Sequence, residues 1–238
     1  MKKLKNIIIT GVLLIVFVFS AYKITTKFYT DIRAESTYSS LKAKNEKRDT
    51  DDGEDLKEDL SNLNKDFKFW ITIDNTDVEY PVLQAKDNDY YLKRDINKKS
   101  TAAGSIFLDY RDDVDSSQNL ILYGHNMKNG TMFAAVNKFK DKDFWDKNSK
   151  IRVYKGAHEY VYEVYAVCAV DADKFDYLSV DFENEKDFLA YVKSVTDRAV
   201  YKSDTKIKGD DKIITLSTCS YEFENGRTFI QGKLVEVN

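Results

Sequence analysis

Three side chains of this 238-residue sequence have the type and placing for acyl-transfer chemistry: Cys219, His125 and Arg227. Cys219 follows the apolar run Ile213-Ile214-Thr215-Leu216-Ser217-Thr218, which reads as a strand, and precedes a polar loop from Ser220 to Gly226. A thiol at a strand end is fixed by the sheet while its sulfur faces a cleft. The competing reading is a small buried hydrophobe, as free cysteines commonly are. His125 comes just after the run Leu120–Tyr123 and Gly124. If it meets Cys219, the pair can exchange a proton and hold the sulfur as a thiolate nucleophile. Taken alone it reads equally well as a surface histidine. Arg227 lies eight residues after Cys219, at the start of the last strand. Antiparallel strands joined by a loop bring their facing ends together. A guanidinium placed there can bind the oxyanion of a tetrahedral intermediate or hold a substrate carbonyl; pairing with Glu222 or Glu224 is the alternative.

Cys168 and His158 are the useful contrasts. Cys168 sits inside the apolar run Tyr165–Val170 and reads as inert core, and His158 falls in a hairpin turn. Two cysteines cannot alone build a thiolate zinc site, two histidines give no basis for a classical metal cluster, and no Walker loop or dinucleotide fingerprint is present, so no metal or organic cofactor is expected. A single Cys168–Cys219 bridge stays open. The formal net charge of -3, with both signs mixed along the chain, carries no nucleic-acid signature, and no nucleic-acid partner is expected.

The elements that must position these residues are mostly short strands. Trp70–Ile73, Val78–Leu83, Ser105–Leu108 and Asn119–Tyr123 read as extended pieces, with Pro81 marking an edge or strand end. Ile151–Lys155 and Glu159–Val170 read as a hairpin around Gly156-Ala157-His158, and Lys212–Thr218 and Thr228–Val237 as the final pair. Asp181–Lys202 is the clearest helix, with Phe188, Val192, Val195 and Ala199 along one face, and Leu56, Leu60, Leu63 and Phe67 form another stripe at helical spacing. Many short strands with a late helix predict an all-β barrel or sandwich decorated by helices.

Ahead of this body, Asn6–Tyr22 carries no charge and is preceded by Lys2, Lys3 and Lys5. Seventeen residues at about 1.5 Å each fall slightly short of a roughly 30 Å hydrocarbon core. Lysine snorkelling at both ends makes up the difference. The segment predicts a signal anchor with the N-terminus inside and the rest of the chain outside; a cleaved signal peptide and a buried helix are the alternatives. The expected layout is a cytoplasmic start and anchor over 1–27, a polar stalk, linker or loosely packed helix over 28–53, and a catalytic domain over 54–238.

Motifs sharpen this reading. Thr215-Leu216-Ser217-Thr218-Cys219 and Tyr123-Gly124-His125-Asn126 resemble the cysteine and histidine motifs of the sortases, with Arg227 at the position of the sortase arginine. Trp70–Thr76, Tyr80–Gln84, Asn88–Leu92, Gly104–Arg111 and Asn129–Phe133 resemble class B sortases in particular. The resemblance runs from about residue 60 to the C-terminus. It implies a mainly β fold: a closed eight-stranded barrel with N-terminal helices and a long helix before the cysteine strand. It also implies a cysteine transpeptidase that cleaves an NPxTx or PxTG-like C-terminal sorting signal after Thr. Cys219 would form the thioacyl intermediate, His125 would serve the departing and incoming amines, and Arg227 would stabilise the oxyanion. Asn88, Leu92, Leu178 and Ser217 would surround the peptide groove. The partners implied are surface proteins bearing the signal, an amine of a peptidoglycan precursor or crossbridge, and the lipid bilayer. Ser220 departs from members with an acidic residue after the cysteine, and Asn126 would orient His125 only if geometry permits. A membrane-anchored cysteine peptidase using water, and a non-catalytic surface binding module, are the rival functions.

Overall fold

A computed structural model describes residues 2–46, 60–222 and 224–238. Hydrophobic alternation along the strands dictates a sheet with one face turned inward. The strands are β1 (Phe67–Ile73), β2 (Glu79–Leu83), β3 (Ile106–Leu108), β4 (Asn119–Tyr123), β5 (Lys150–Lys155), β6 (His158–Asp171), β7 (Tyr201–Lys202), β8 (Ile213–Cys219) and β9 (Gly226–Val237). Their order is β5-β1-β2-β3-β4-β8-β9-β6-β7, and β5 also pairs with β6. That last pairing closes eight strands into a barrel and leaves β7 as an outer addition to β6, giving the mainly β fold expected. Phe69, Ile71, Val82, Leu122, Ile214, Leu216 and Ile230 are all fully buried in the main core.

A second core lies on the outer face of β6, β8 and β9. There Phe229, Ile213 and Cys168 pack with Phe188, Tyr191, Val192 and Val195. These last four belong to the helix of residues Glu185–Thr196, which is shorter than the predicted 181–202. Asn184 caps its start by accepting from the Asp187 N–H. Beyond its end the chain is drawn to the β6 edge, with Val200 N donating to Val167 O and Ser203 N to Tyr165 O, so 201–202 becomes β7. The stripe at Leu56, Leu60, Leu63 and Phe67 also ends early. Leu56 lies outside the described residues, helix covers 60–63, and Asn64 then turns the chain so that Phe67 opens β1. The predicted hairpin turns at Gly156, whose φ of +57° suits glycine, and His158 already pairs in β6.

At the N-terminal end, α1 (Lys2–Glu46) is one helix of 45 residues, about 67 Å long. Its N-terminal part is long and apolar enough to cross a membrane. Its C-terminal part docks on the barrel through the buried side chains of Ala34, Tyr38 and Leu41. The Tyr38 hydroxyl donates to Gly104 O at 3.1 Å, and its ring meets Tyr80 edge-on.

Between β3 and β4, Asp112 braces the turn by accepting from Ile121 N at 2.7 Å. Its other carboxylate oxygen is buried with no hydrogen-bond partner among the described residues. Burial, reinforced by Asp109, pushes the carboxyl up to about 8, against the pull of the Ile121 N–H and Arg111. The folded protein therefore holds a proton here that the unfolded chain releases near pH 4. This contribution to stability is present at low pH and is lost as pH rises toward and through 8. In urea melts from pH 5 to 9, wild-type stability is expected to fall with pH more steeply than that of Asp112→Asn; parallel profiles would refute the assignment.

Candidate active site

Strand pairing assembles the site. β4 and β8 run parallel with Tyr123 opposite Ser217, and β8 and β9 run antiparallel with Cys219 directly opposite Arg227. His125 leaves β4 two residues past Tyr123, as Cys219 lies two past Ser217. The three side chains thus come from adjacent strands at one end of the barrel. Each is half-buried, part in the protein and part open to solvent.

The face they occupy follows from alternation. Thr215 and Ser217 point outward, since Thr215 Oγ1 donates to Asn119 Oδ1 and the Ser217 hydroxyl pairs with Tyr177 at 2.8 Å. Cys219, two residues on, shares that outer face. On β9, Phe229 stacks flat on Tyr177, with centroids 4.3 Å apart, and Arg227 follows two residues before it. The Thr218 hydroxyl, one residue before Cys219, instead donates to Gly124 O at 2.7 Å.

Backbone anchoring makes the cysteine position rigid. The side-chain amides of Asn126 and Asn137 both donate to Cys219 O, at 3.1 and 3.2 Å. Asn137 is held in turn by the Thr228 hydroxyl, and Ser220 N donates to Gly226 O, so the sheet continues past the thiol. Asn126 therefore serves the cysteine carbonyl; this is its role in place of orienting His125. Ser220 is buried, with its hydroxyl directed to Glu222 at 3.3 Å. Glu222 itself pairs with Lys140, and the Arg227 guanidinium donates to Gly226 O.

His125 is oriented from the other side. Its Nε2 lies 2.7 Å from Leu92 O. A carbonyl can only accept, so Nε2 carries hydrogen in this pose, leaving Nδ1 as the other proton-exchanging atom. The glycine before it is required by packing. A Cβ at Gly124 would lie 2.5 Å from Ile106 Cδ1 and 2.7 Å from the Phe133 ring.

Of the expected groove residues, Leu92 contributes its carbonyl to His125, and Leu178 follows Tyr177 beside the cysteine strand. Ser217 is buried, with its hydroxyl against that of Tyr177. Asn88 is half-buried, with its amide donating to Asp109 and its oxygen accepting from Tyr110 N. Tyr123, Tyr177, Asp109 and Arg111 were not singled out from the sequence. Tyr123, Asp109 and Arg111 lie within the family-like segments; Asp109 and Arg111 pair two residues apart, but their ties to Tyr123, Asn88 and Leu178 span 14, 21 and 67 positions.

The other cysteine behaves as expected of core. Cys168 is fully buried, its sulfur 3.4 Å from Val195 O, and burial raises its thiol to about 12. Both thiols are free, so the open possibility of a bridge is not realised.

The Sortase domain family pattern matches residues 71–235. Sortase B of Listeria monocytogenes is 42% identical over 235 residues, covering 95% of each chain. The chain belongs to the sortase family. Sortase B of Staphylococcus aureus is 30% identical over 237 residues, covering 97% of each chain. A solved Staphylococcus aureus sortase B–substrate complex superposes with a TM-score of 0.79 at 29% identity, over 86% of this chain and 97% of that one. Within the sortases the chain falls in class B, the cysteine transpeptidases that process a C-terminal sorting signal and attach surface proteins to peptidoglycan.

Two outcomes follow from this class B geometry. Iodoacetamide should label the native protein once, at Cys219, with labelling unchanged in Cys168→Ser and abolished in Cys219→Ala, as mass spectrometry would show. Gly124→Ala should cost about 1–3 kcal/mol of stability in urea titration, because the added methyl overpacks the core.

Proposed function

We propose that Cys219, His125 and Arg227 carry the transpeptidation. The register that sets Cys219 opposite Arg227, with His125 on the next strand end, is the observation that supports this reading most directly. The Cys219 thiolate attacks the carbonyl carbon of the sorting-signal Thr, and the Arg227 guanidinium takes the negative charge that develops on its oxygen. As the C–N bond breaks, His125 protonates the departing amine and a thioester remains on Cys219. An amine of a peptidoglycan stem or crossbridge then loses its proton to His125 and attacks the thioester. The new amide forms and the thiolate leaves. Neither step needs a metal or organic cofactor, because the thioester itself stores the acyl energy until the amine arrives.

The donor peptide, of NPxTx or PxTG-like sequence, lies in this proposal between Asn88 and Leu92 on one side and Leu178 on the other, above Ser217. The substrate complex solved for the similar Staphylococcus aureus enzyme supports substrate binding on this fold. Residues 6–22 cross the bilayer, with the N-terminus inside and the catalytic domain outside. Tethering the enzyme to the surface that holds its donor raises the effective concentration of one for the other.

The test uses the full chain in lipid nanodiscs with a panel of NPxTx and PxTG-like peptides, with and without a peptidoglycan-like amine. A thioacyl adduct on Cys219 and an amine-ligated product are expected, both absent in Cys219→Ala. Arg227→Ala should lower kcat by about 10²–10³-fold, the usual effect of losing an oxyanion donor. Turnover that the amine neither accelerates nor diverts would identify a peptidase instead.

A further inference from the structure

Asp109 lies where both walls of the groove meet its floor. Its side chain is fully buried at the end of β3. Oδ2 accepts from Asn88 Nδ2 at 2.9 Å, on one wall, and from the Tyr123 hydroxyl at 2.7 Å, on the floor. Arg111 grips the same carboxylate with two nitrogens, Nε to Oδ1 and NH2 to Oδ2, each at 2.9 Å. The NH2 group also donates to Leu178 O at 3.0 Å, on the opposite wall. Burial alone would raise the Asp109 carboxyl, yet Arg111, Tyr123 and Asn88 hold it down at about 2, so it stays charged at any working pH.

We propose that the Asp109–Arg111 pair is a strut that fixes the spacing between the Asn88–Leu92 wall and the Leu178 wall, and so sets how tightly the sorting peptide is held. Asp109 and Arg111 are positioning residues. The inference rests on the assignment of Asn88, Leu92 and Leu178 to the donor groove.

The Leu178 segment is fastened to the sheet by its neighbours. Tyr177 bonds Ser217, Ser179 O accepts from the Asn119 amide, and Val180 O accepts from Asn119 N. Those bonds hold the segment down on β4 and β8 but do not reach the far wall. The Leu178 carbonyl does, through Arg111. A planar guanidinium clamped by a buried carboxylate has the second N–H of its NH2 group aimed in one direction, which a lysine ammonium cannot reproduce. Arg111 is itself partly exposed, at 39% of its side-chain surface, so its loss removes the tie without opening the core.

Arg111→Ala and Arg111→Lys, made in the full chain in nanodiscs, test this with the sorting peptide as donor. Arg111→Ala should raise KM roughly tenfold with kcat within about threefold of wild type, and Arg111→Lys should fall between the two. Iodoacetamide labelling of Cys219, which needs no groove, should proceed at the wild-type rate. An unchanged KM in Arg111→Ala overturns the strut, as does a loss of kcat and labelling together with the rise in KM. Failure of the wild type to form any thioacyl adduct would instead sink the functional reading, and the strut with it.

Discussion

The hydrogen-bond register of β8 is the constraint on which the rest depends. This strand is paired on both sides, parallel to β4 and antiparallel to β9, and its residues alternate between two cores. Ile214 and Leu216 fill the barrel, while Thr215, Ser217 and Cys219 face outward. A slip of one residue against either neighbour would send the apolar set out and the polar set in. Two cores would be lost at once, so the thiol position is held by the stability of the whole barrel.

The outer polar residues of this strand are not decoration. Gln231 is fully buried, donating to Tyr191 Oη and Thr215 Oγ1 and accepting from the Tyr165 hydroxyl. Thr215 passes the chain to Asn119, whose amide reaches Ser179 O, and the Tyr191 hydroxyl donates to Tyr177 O. One connected network thus links the helix Glu185–Thr196 to the segment Tyr177–Ser179 that borders the cysteine strand. Such a network is strong when complete, because each missing partner would leave a buried polar group unpaired. The helix meets that segment directly, through the Tyr191 hydroxyl on Tyr177 O and through the apolar packing of Tyr177 with Phe188, Tyr191 and Val192.

Much of this was legible in the sequence, for local reasons. The strand carrying Cys219, the short run before His125 and the late pairing that brings Arg227 back are all short-range patterns. Apolar alternation and loop length suffice to read them. Where reading failed, distant partners decided. The helix after Asn184 looked longer because nothing local announces that Val200 and Ser203 join the edge of β6. Phe67 looked helical because its spacing matched, while Asn64 turns the chain through bonds to Tyr91 and Ile96. The Asn126 amide went to a carbonyl 93 positions away, and Arg111 to one 67 away. No window of sequence contains such pairs, although Asp109 and Arg111 stand in plain view within a family-like segment.

The separation of the two cysteines carries one more consequence. β9 runs between the strands that bear them, with Cys168 opposite Phe229 and Cys219 opposite Arg227. Two strand spacings come to about 10 Å, beyond the reach of a disulfide. Cys219 therefore has no resolving thiol within its own chain. If its sulfur is oxidised to a sulfenic acid, the protein cannot trap that state as an internal disulfide and then be reset. Recovery of the enzyme depends on a thiol supplied by another molecule, so the redox upkeep of the site belongs to its surroundings.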